Sequence, residues 1–130
     1  MSFLVSVAIV RLLLGAVFAA GAVNGFLILA GRKPFMPVNR EATDLLIRAG
    51  YLYPLVKITE LAAGILLLSG QFVPAGIALL APIVVNIFFM HLLHDKPLIG
   101  VGVLLVGMEL YLMLAYRDYF LPMLQLHSPL

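Results

Sequence analysis

Four long apolar stretches, separated by short polar breaks, account for nearly the whole chain. The first runs from Phe3 to about Leu29 and is interrupted by Arg11 and Asn24. The second starts near Leu52 and closes at Gly70, the third goes from Pro74 to about Leu93, and the fourth from Leu98 to about Tyr119. About 20 apolar residues carry a helix across a roughly 30 Å hydrocarbon core, so each stretch is long enough to cross once. The pattern predicts an all-α membrane protein, a four-transmembrane-helix bundle forming a single domain over residues 1–130. Only GQFVP separates the second and third stretches, which predicts a tight helical hairpin, and HDKPLIG turns the chain into the fourth.

One polar segment is long enough to hold structure of its own: GRKPFMPVNREATDLLIRAG, Gly31 to Gly50. Pro34 and Pro37 bar a helix before Asn39, which is suited to cap one starting at Arg40. A short helix from Arg40 to Ala49, ending at Gly50, carries Leu45, Leu46 and Ile47 beside Arg40 and Arg48. That mixture fits a helix lying in the membrane interface between the first two spans. No positively charged segment precedes the first apolar run, so it is expected to remain as a helix rather than serve as a cleaved signal.

Composition agrees with the pattern: of 130 residues 64% are hydrophobic and 11% charged, and the mean hydropathy is +1.15. An ordinary soluble domain does not have that balance. The formal charge of +2 comes without any basic block, which argues against nucleic acid as a partner and leaves the basic residues as topology signals. Arg32, Lys33, Arg40, Arg48 and Lys96 fall in the first and third connections, whereas Arg117 alone marks the other side. Those connections are therefore expected in the cytoplasm, with both termini outside a cell membrane.

Polar side chains within the spans are expensive and so informative. Counting 1.5 Å per residue from the terminus-side surface puts Arg11 at about 12 Å, Glu60 and Glu109 at about 15 Å, and Asn86 at about 18 Å. One residue from each helix would then share a layer near the midplane. Glu60 has two candidate cations, Arg11 across the interface and Lys57 one turn away, while Arg11 has a second option in snorkelling to the headgroups. Glu109 has no charged neighbour on its own helix and calls for an interhelical partner or a proton. Asn86 reads as a helix-to-helix hydrogen-bonding residue or a ligand contact. Asn24, Lys57 and His91 form a second, thinner layer towards the cytoplasm; His94 belongs to the membrane edge and His127 to the tail. Gly15 and Gly64 follow Arg11 and Glu60 by four, giving each polar face a small neighbour for close approach.

The absence of cysteine removes thiol–disulfide chemistry and iron–sulfur ligation. His91 and His94 lie on one predicted helix, which disfavours a haem held between helices. Neither Glu60 nor Glu109 begins the Glu-x-x-His motif of a di-iron site, and no Walker, HExxH or nucleophile-elbow pattern occurs. No covalent or metal-ligated cofactor is expected, so any electrons must come from a diffusible molecule or a partner protein.

RLLLG from Arg11 to Gly15, K-x-x-E-L-x-x-G-x-L-L-L-x-G from Lys57 to Gly70, VPAG from Val73 and APIVVNIFFMHLL from Ala81 occur in that order over nearly the whole chain. Together they resemble the DoxX-like integral membrane protein family. The resemblance implies a four-helix membrane fold; the family name derives from a subunit of a thiosulfate:quinone oxidoreductase, and some relatives are linked to oxidative-stress complexes or assembly. Arg11, Lys57, Glu60 and Asn86 match the family pattern, whereas Glu109 lies in its least diagnostic segment.

Two functions follow as expectations. In the first, the chain is a quinone-interacting subunit of a membrane oxidoreductase: Arg11, Lys57, Asn86 and His91 bind the quinone oxygens, and Glu60 and Glu109 move its protons as the catalytic carboxyls. In the second, it is a non-catalytic structural or assembly subunit whose polar layer specifies one packing, with a partner protein or further copies of itself docked on it. A transporter comes third, because four helices without repeats or broken segments suit alternating access poorly.

Overall fold

A computed structural model describes residues 2–127. Helix α1 (Phe3–Leu29) starts at Ser2, whose hydroxyl accepts from the Val5 amide at 3.2 Å. A loop then leads to α2 (Arg40–Arg48), capped as expected by the Asn39 carbonyl oxygen on the Ala42 amide at 2.9 Å. Helices α3 (Leu52–Ser69) and α4 (Val73–His94) form the hairpin, and a 3-10 turn at Lys96–Leu98 feeds α5 (Ile99–Ala115). The expected fourth span to Tyr119 is cut short. Tyr116 interrupts the helix with φ −103° and ψ 23°, and a separate turn, α6 (Arg117–Phe120), follows. The exposed Arg117 and Asp118 explain the break, because an apolar crossing ends where the chain meets water.

Four segments, Phe3–Leu29, Leu52–Ser69, Val73–His94 and Lys96–Ala115, are long and apolar enough to cross a membrane. Their outer surfaces carry large exposed apolar residues such as Leu4, Leu13, Ile58, Leu104 and Leu114, an arrangement suited to lipid and not to water. The chain therefore has the build of a multi-pass membrane protein. The helices pack in the pairs α1/α3, α3/α4, α4/α5 and α1/α5, with α1/α3 the most extensive contact and α1/α5 the slimmest. Leu14, Phe18, Leu67, Ile77, Leu80, Val84, Leu105 and Leu112 fill the space between them.

Two glycines set the α1/α3 geometry. A Cβ on Gly64 would sit 2.9 Å from the Ala19 amide nitrogen and 3.0 Å from the Gly15 carbonyl oxygen, so the two backbones meet almost directly. In a membrane, where lipid tails are as apolar as leucine, such contact is a main source of helix association. Gly70, with φ 76°, ends α3 in the left-handed conformation and donates its amide to Leu66 at 3.1 Å.

Gly64→Ala should therefore lower the thermal midpoint in detergent, with a loss of about 1–3 kcal/mol, because the methyl meets backbone that cannot move aside. Gly107→Ala is the control. Nothing lies within 4 Å of its Cβ position, so it should leave the midpoint unchanged or raise it by up to about 1 kcal/mol. Equal shifts for the two variants would show that the seam has room to spare.

Candidate functional site

One face of α3 carries Tyr53, Lys57, Glu60, Gly64 and Leu67, spaced three or four residues apart and turned towards α1. Glu60 is paired on its own helix. Its Oε2 accepts from Lys57 Nζ at 3.0 Å, an i,i+3 ion pair in which the carboxylate side chain is 6% exposed and the ammonium side chain 17%. Space for the pair comes from α1. A Cβ at Gly25 would collide with the Lys57 stem, and one at Gly21 would stand 3.9 Å from Glu60 Oε2. Lys57 Nζ also lies 5.3 Å from the centroid of the buried Tyr53 ring, whose electron-rich face favours the cation.

Arg11, expected as a possible partner of Glu60, is engaged elsewhere. Its Nη1 donates to the Leu67 carbonyl, and the guanidinium lies beside Gly70. The last carbonyls of α3 have no partner within the helix and carry the negative end of its dipole, so a cation there is stabilised twice over. Arg11 is thus a C-cap supplied in trans by α1. The depth estimate missed this because it counted side chains and ignored the backbone groups freed at the α3 terminus.

Asn86 lies well within the span, as expected, but faces away from the other polar residues. It lies on α4 with its side chain exposed on the outer surface, away from the buried Val84 and Leu80. Depth alone could not settle this, since it leaves the angular position open; the buried set Val73, Ile77, Leu80, Val84 and His91 puts position 86 on the far side.

Glu109 and His91 are buried and poorly partnered. Glu109 sits between the buried Leu105 and Leu112 on α5, and neither carboxyl oxygen has a hydrogen-bond partner. His91 packs its ring against α5, with Cδ2 3.6 Å from the Cβ position of Gly102. Its Nδ1 is 3.9 Å from Asp95 Oδ2, which is charge proximity but too long for a hydrogen bond.

Sequence reasoning placed Asn24 in a polar layer without seeing its use. Its Oδ1 accepts from the Phe35 and Met36 amides at 2.9 and 3.0 Å, and its Nδ2 donates to the Met36 carbonyl at 3.1 Å. Asn24 thereby pins the loop between α1 and α2 onto α1. The available signal was a buried asparagine ahead of Pro34 and Pro37, which bracket amides that no helix can satisfy. Tyr111 is half-buried and shares a 2.6 Å hydrogen bond with Ser6, tying α5 to α1.

Two cavities open at the ends of the helices. A small one of about 60 Å³ lies between α2 and the end of α4, beside Asn39, Leu45, Met90 and His94. An open cleft of about 450 Å³ is lined by Gly70, Phe72, Val73, Pro74, Tyr116 and Tyr119. Neither is lined by Lys57, Glu60 or Glu109. No cluster of three or more metal-ligating side chains occurs among the described residues.

Lys57→Met should cost about 2–3 kcal/mol, less than the about 3–5 kcal/mol of a fully buried pair because Lys57 retains some exposure. The double variant Lys57→Met/Glu60→Leu should recover most of that loss. By contrast, Arg11→Met and Glu60→Gln should add without coupling, since the two residues have separate partners. Denaturation of the four single and two double variants in one detergent reads both results; coupling between positions 11 and 60 would contradict the geometry. No family model matches the chain, and no curated protein or solved structure matches it either.

Proposed function

We propose that the chain is a DoxX-like four-helix bundle of the cell membrane, a quinone-interacting subunit of a membrane oxidoreductase, with α2 lying in the interface. The observation that carries this reading is Glu109. Lys57, Glu60, Arg11 and Asn24 spend their polar groups on one another or on the backbone, whereas both oxygens of Glu109 are buried and unbonded. A lone carboxylate in hydrocarbon costs several kcal/mol, so a group kept there unpaired is suited to meeting a proton or a donor brought by a ligand. Reduction of a quinone to a quinol takes up two electrons and two protons, and an adjacent carboxyl can relay the protons. His91 Nδ1, also unbonded, is a second polar contact nearer the other end of the α4/α5 seam. Entry of a ring is easiest at α1/α5, the slimmest of the four contacts. The electrons come from a partner protein or a diffusible donor.

The interfacial placement of α2 is supported by its residues. Leu45 is 61% exposed and Ile47 37%, on a helix that also carries Arg40, Glu41, Asp44 and Arg48 and has no fully buried residue. A second reading, a non-catalytic structural or assembly subunit, has its own support: Arg11, Asn24, Lys57 and Glu60 already serve packing, and neither cavity reaches Glu109.

Purified protein in lipid nanodiscs, titrated with a short-tailed quinone, distinguishes the two. The quinone should raise the thermal midpoint of the wild-type chain, and Glu109→Gln should weaken its binding about ten-fold, the loss of one hydrogen bond to an ionisable group. Glu109→Leu should bind no quinone yet be more stable than wild type when unliganded, by about 1–3 kcal/mol. If no quinone shifts the midpoint, the quinone reading fails; a stoichiometric protein retained through mild detergent would then favour the assembly reading.

The excess of basic residues in the first and third connections supports an orientation with both termini outside the cytoplasm. A phosphatase reporter at the C-terminus should accordingly be active and a cytoplasmic reporter silent. The opposite result reverses the orientation.

A further inference from the structure

The outward position of Asn86 has a consequence that does not depend on what Glu109 binds, only on α4 crossing the membrane. Asn86 is 13 residues past the start of α4 and 8 before its end, so it lies about 20 Å and about 12 Å from the two ends, well inside the span. Its side chain is exposed and makes no hydrogen bond among the described residues. Lipid tails offer a carboxamide nothing. One turn away on the same face is Pro82, inside the helix and also exposed. Proline has no N–H, so the carbonyl of Ala78 loses its helical partner, and Ala78 is exposed too. The face that should be the most lipophilic thus carries two polar groups that lipid cannot satisfy.

We propose that this face of α4 binds a second copy of the same chain, with the two Asn86 carboxamides hydrogen-bonded across a two-fold axis normal to the membrane. A partner for Asn86 has to bring both a donor and an acceptor to the same depth. A second copy inserted in the same orientation does so by symmetry, and a carboxamide, with a carbonyl oxygen and an NH2 group, is complementary to itself. Ala75 and Ala78, both exposed on this side, let two α4 helices approach closely on the Pro74-proximal side of the contact. The bulkier Phe89 and Leu93, 49% and 66% exposed, flank it on the other. On α3 the outward mid-span hydroxyl of Thr59 already donates to the Leu55 carbonyl at 2.8 Å, and no unsatisfied polar side chain faces out at mid-depth on α1 or α3 among the described residues, so the pair closes as a dimer and does not propagate.

The chain has no cysteine, so a single introduced thiol reports contact without ambiguity. In native membranes under mild oxidation, Ala78→Cys should give a disulfide-linked dimer, whereas Leu104→Cys, 63% exposed on α5, should remain monomeric. In detergent, Asn86→Leu should lower the dimerisation constant about five- to thirty-fold, the range for a membrane hydrogen bond of about 1–2 kcal/mol, and Asn86→Gln should restore most of it. Leucine on a lipid-facing position does not endanger the fold, and an unchanged thermal midpoint of the monomer verifies that. The proposal is overturned if Ala78→Cys stays monomeric, links to a different protein or links no better than Leu104→Cys, or if Asn86→Leu leaves the dimerisation constant unchanged.

Discussion

In hydrocarbon a polar group is satisfied by the chain itself or by another molecule brought to it, and the α1/α3 seam is where this chain does most of that work. The contact of Gly64 with Gly15 and Ala19 brings the two backbones together, and the same closeness lets Arg11 reach the carbonyl of Leu67. It also closes α1 over the Lys57–Glu60 pair, with Gly21 and Gly25 leaving the volume the two side chains occupy. Helix ends, ion pair and small residues are therefore one construction. Widening the seam by a methyl group would strain the backbone contact, loosen the cap and admit lipid to the pair.

The polar residues turned into the helix interfaces fall into two groups on that basis. Arg11, Asn24, Lys57 and Glu60 are all engaged: Arg11 acts across the α1/α3 seam, Asn24 holds the adjoining loop to α1, and Lys57 and Glu60 pair with each other on α3. Glu109 and His91 lie on the other side of the molecule, along α4 and α5, and their free atoms have no role in packing. An unsatisfied buried group lowers stability, so the two sides of the molecule are built differently, one with its polar groups satisfied and the other with three buried polar atoms left open. The proposed quinone chemistry rests on this contrast.

Much of the helical architecture could be read from the sequence because hydrophobic length is a direct physical requirement for crossing a bilayer. The ends of α1, α3 and α4 were legible within a residue or so, and the Asn39 cap followed from the prolines that precede it. The i,i+3 spacing of Lys57 and Glu60 made their pairing one of two explicit alternatives. Less legible were features set by direction around a helix. Depth along the normal is one coordinate; Asn86 matched it and still faces outward, because every apolar residue of α4 looks alike and the helix carries no amphipathic signal to orient it. Arg11 and Asn24 escaped for another reason: their partners are backbone groups, which a residue-by-residue reading of side chains does not show.

The uneven closure of the helices joins these observations. Strong backbone contact, a trans cap and a shielded ion pair make α1 and α3 a unit, whereas α1 and α5 meet over a slim surface fastened near one end by Ser6 and Tyr111. A helical assembly under thermal motion opens where the fewest contacts oppose it, so the α1/α5 seam is the low-cost place for separation. Glu109 lies on α5 two residues before Tyr111, about 200° around the helix, so the two side chains leave α5 on nearly opposite faces. The Ser6–Tyr111 bond ties α5 to α1 across the slimmest of the four helix contacts and, by fixing which way α5 faces, keeps the unbonded Glu109 carboxyl turned into the interior.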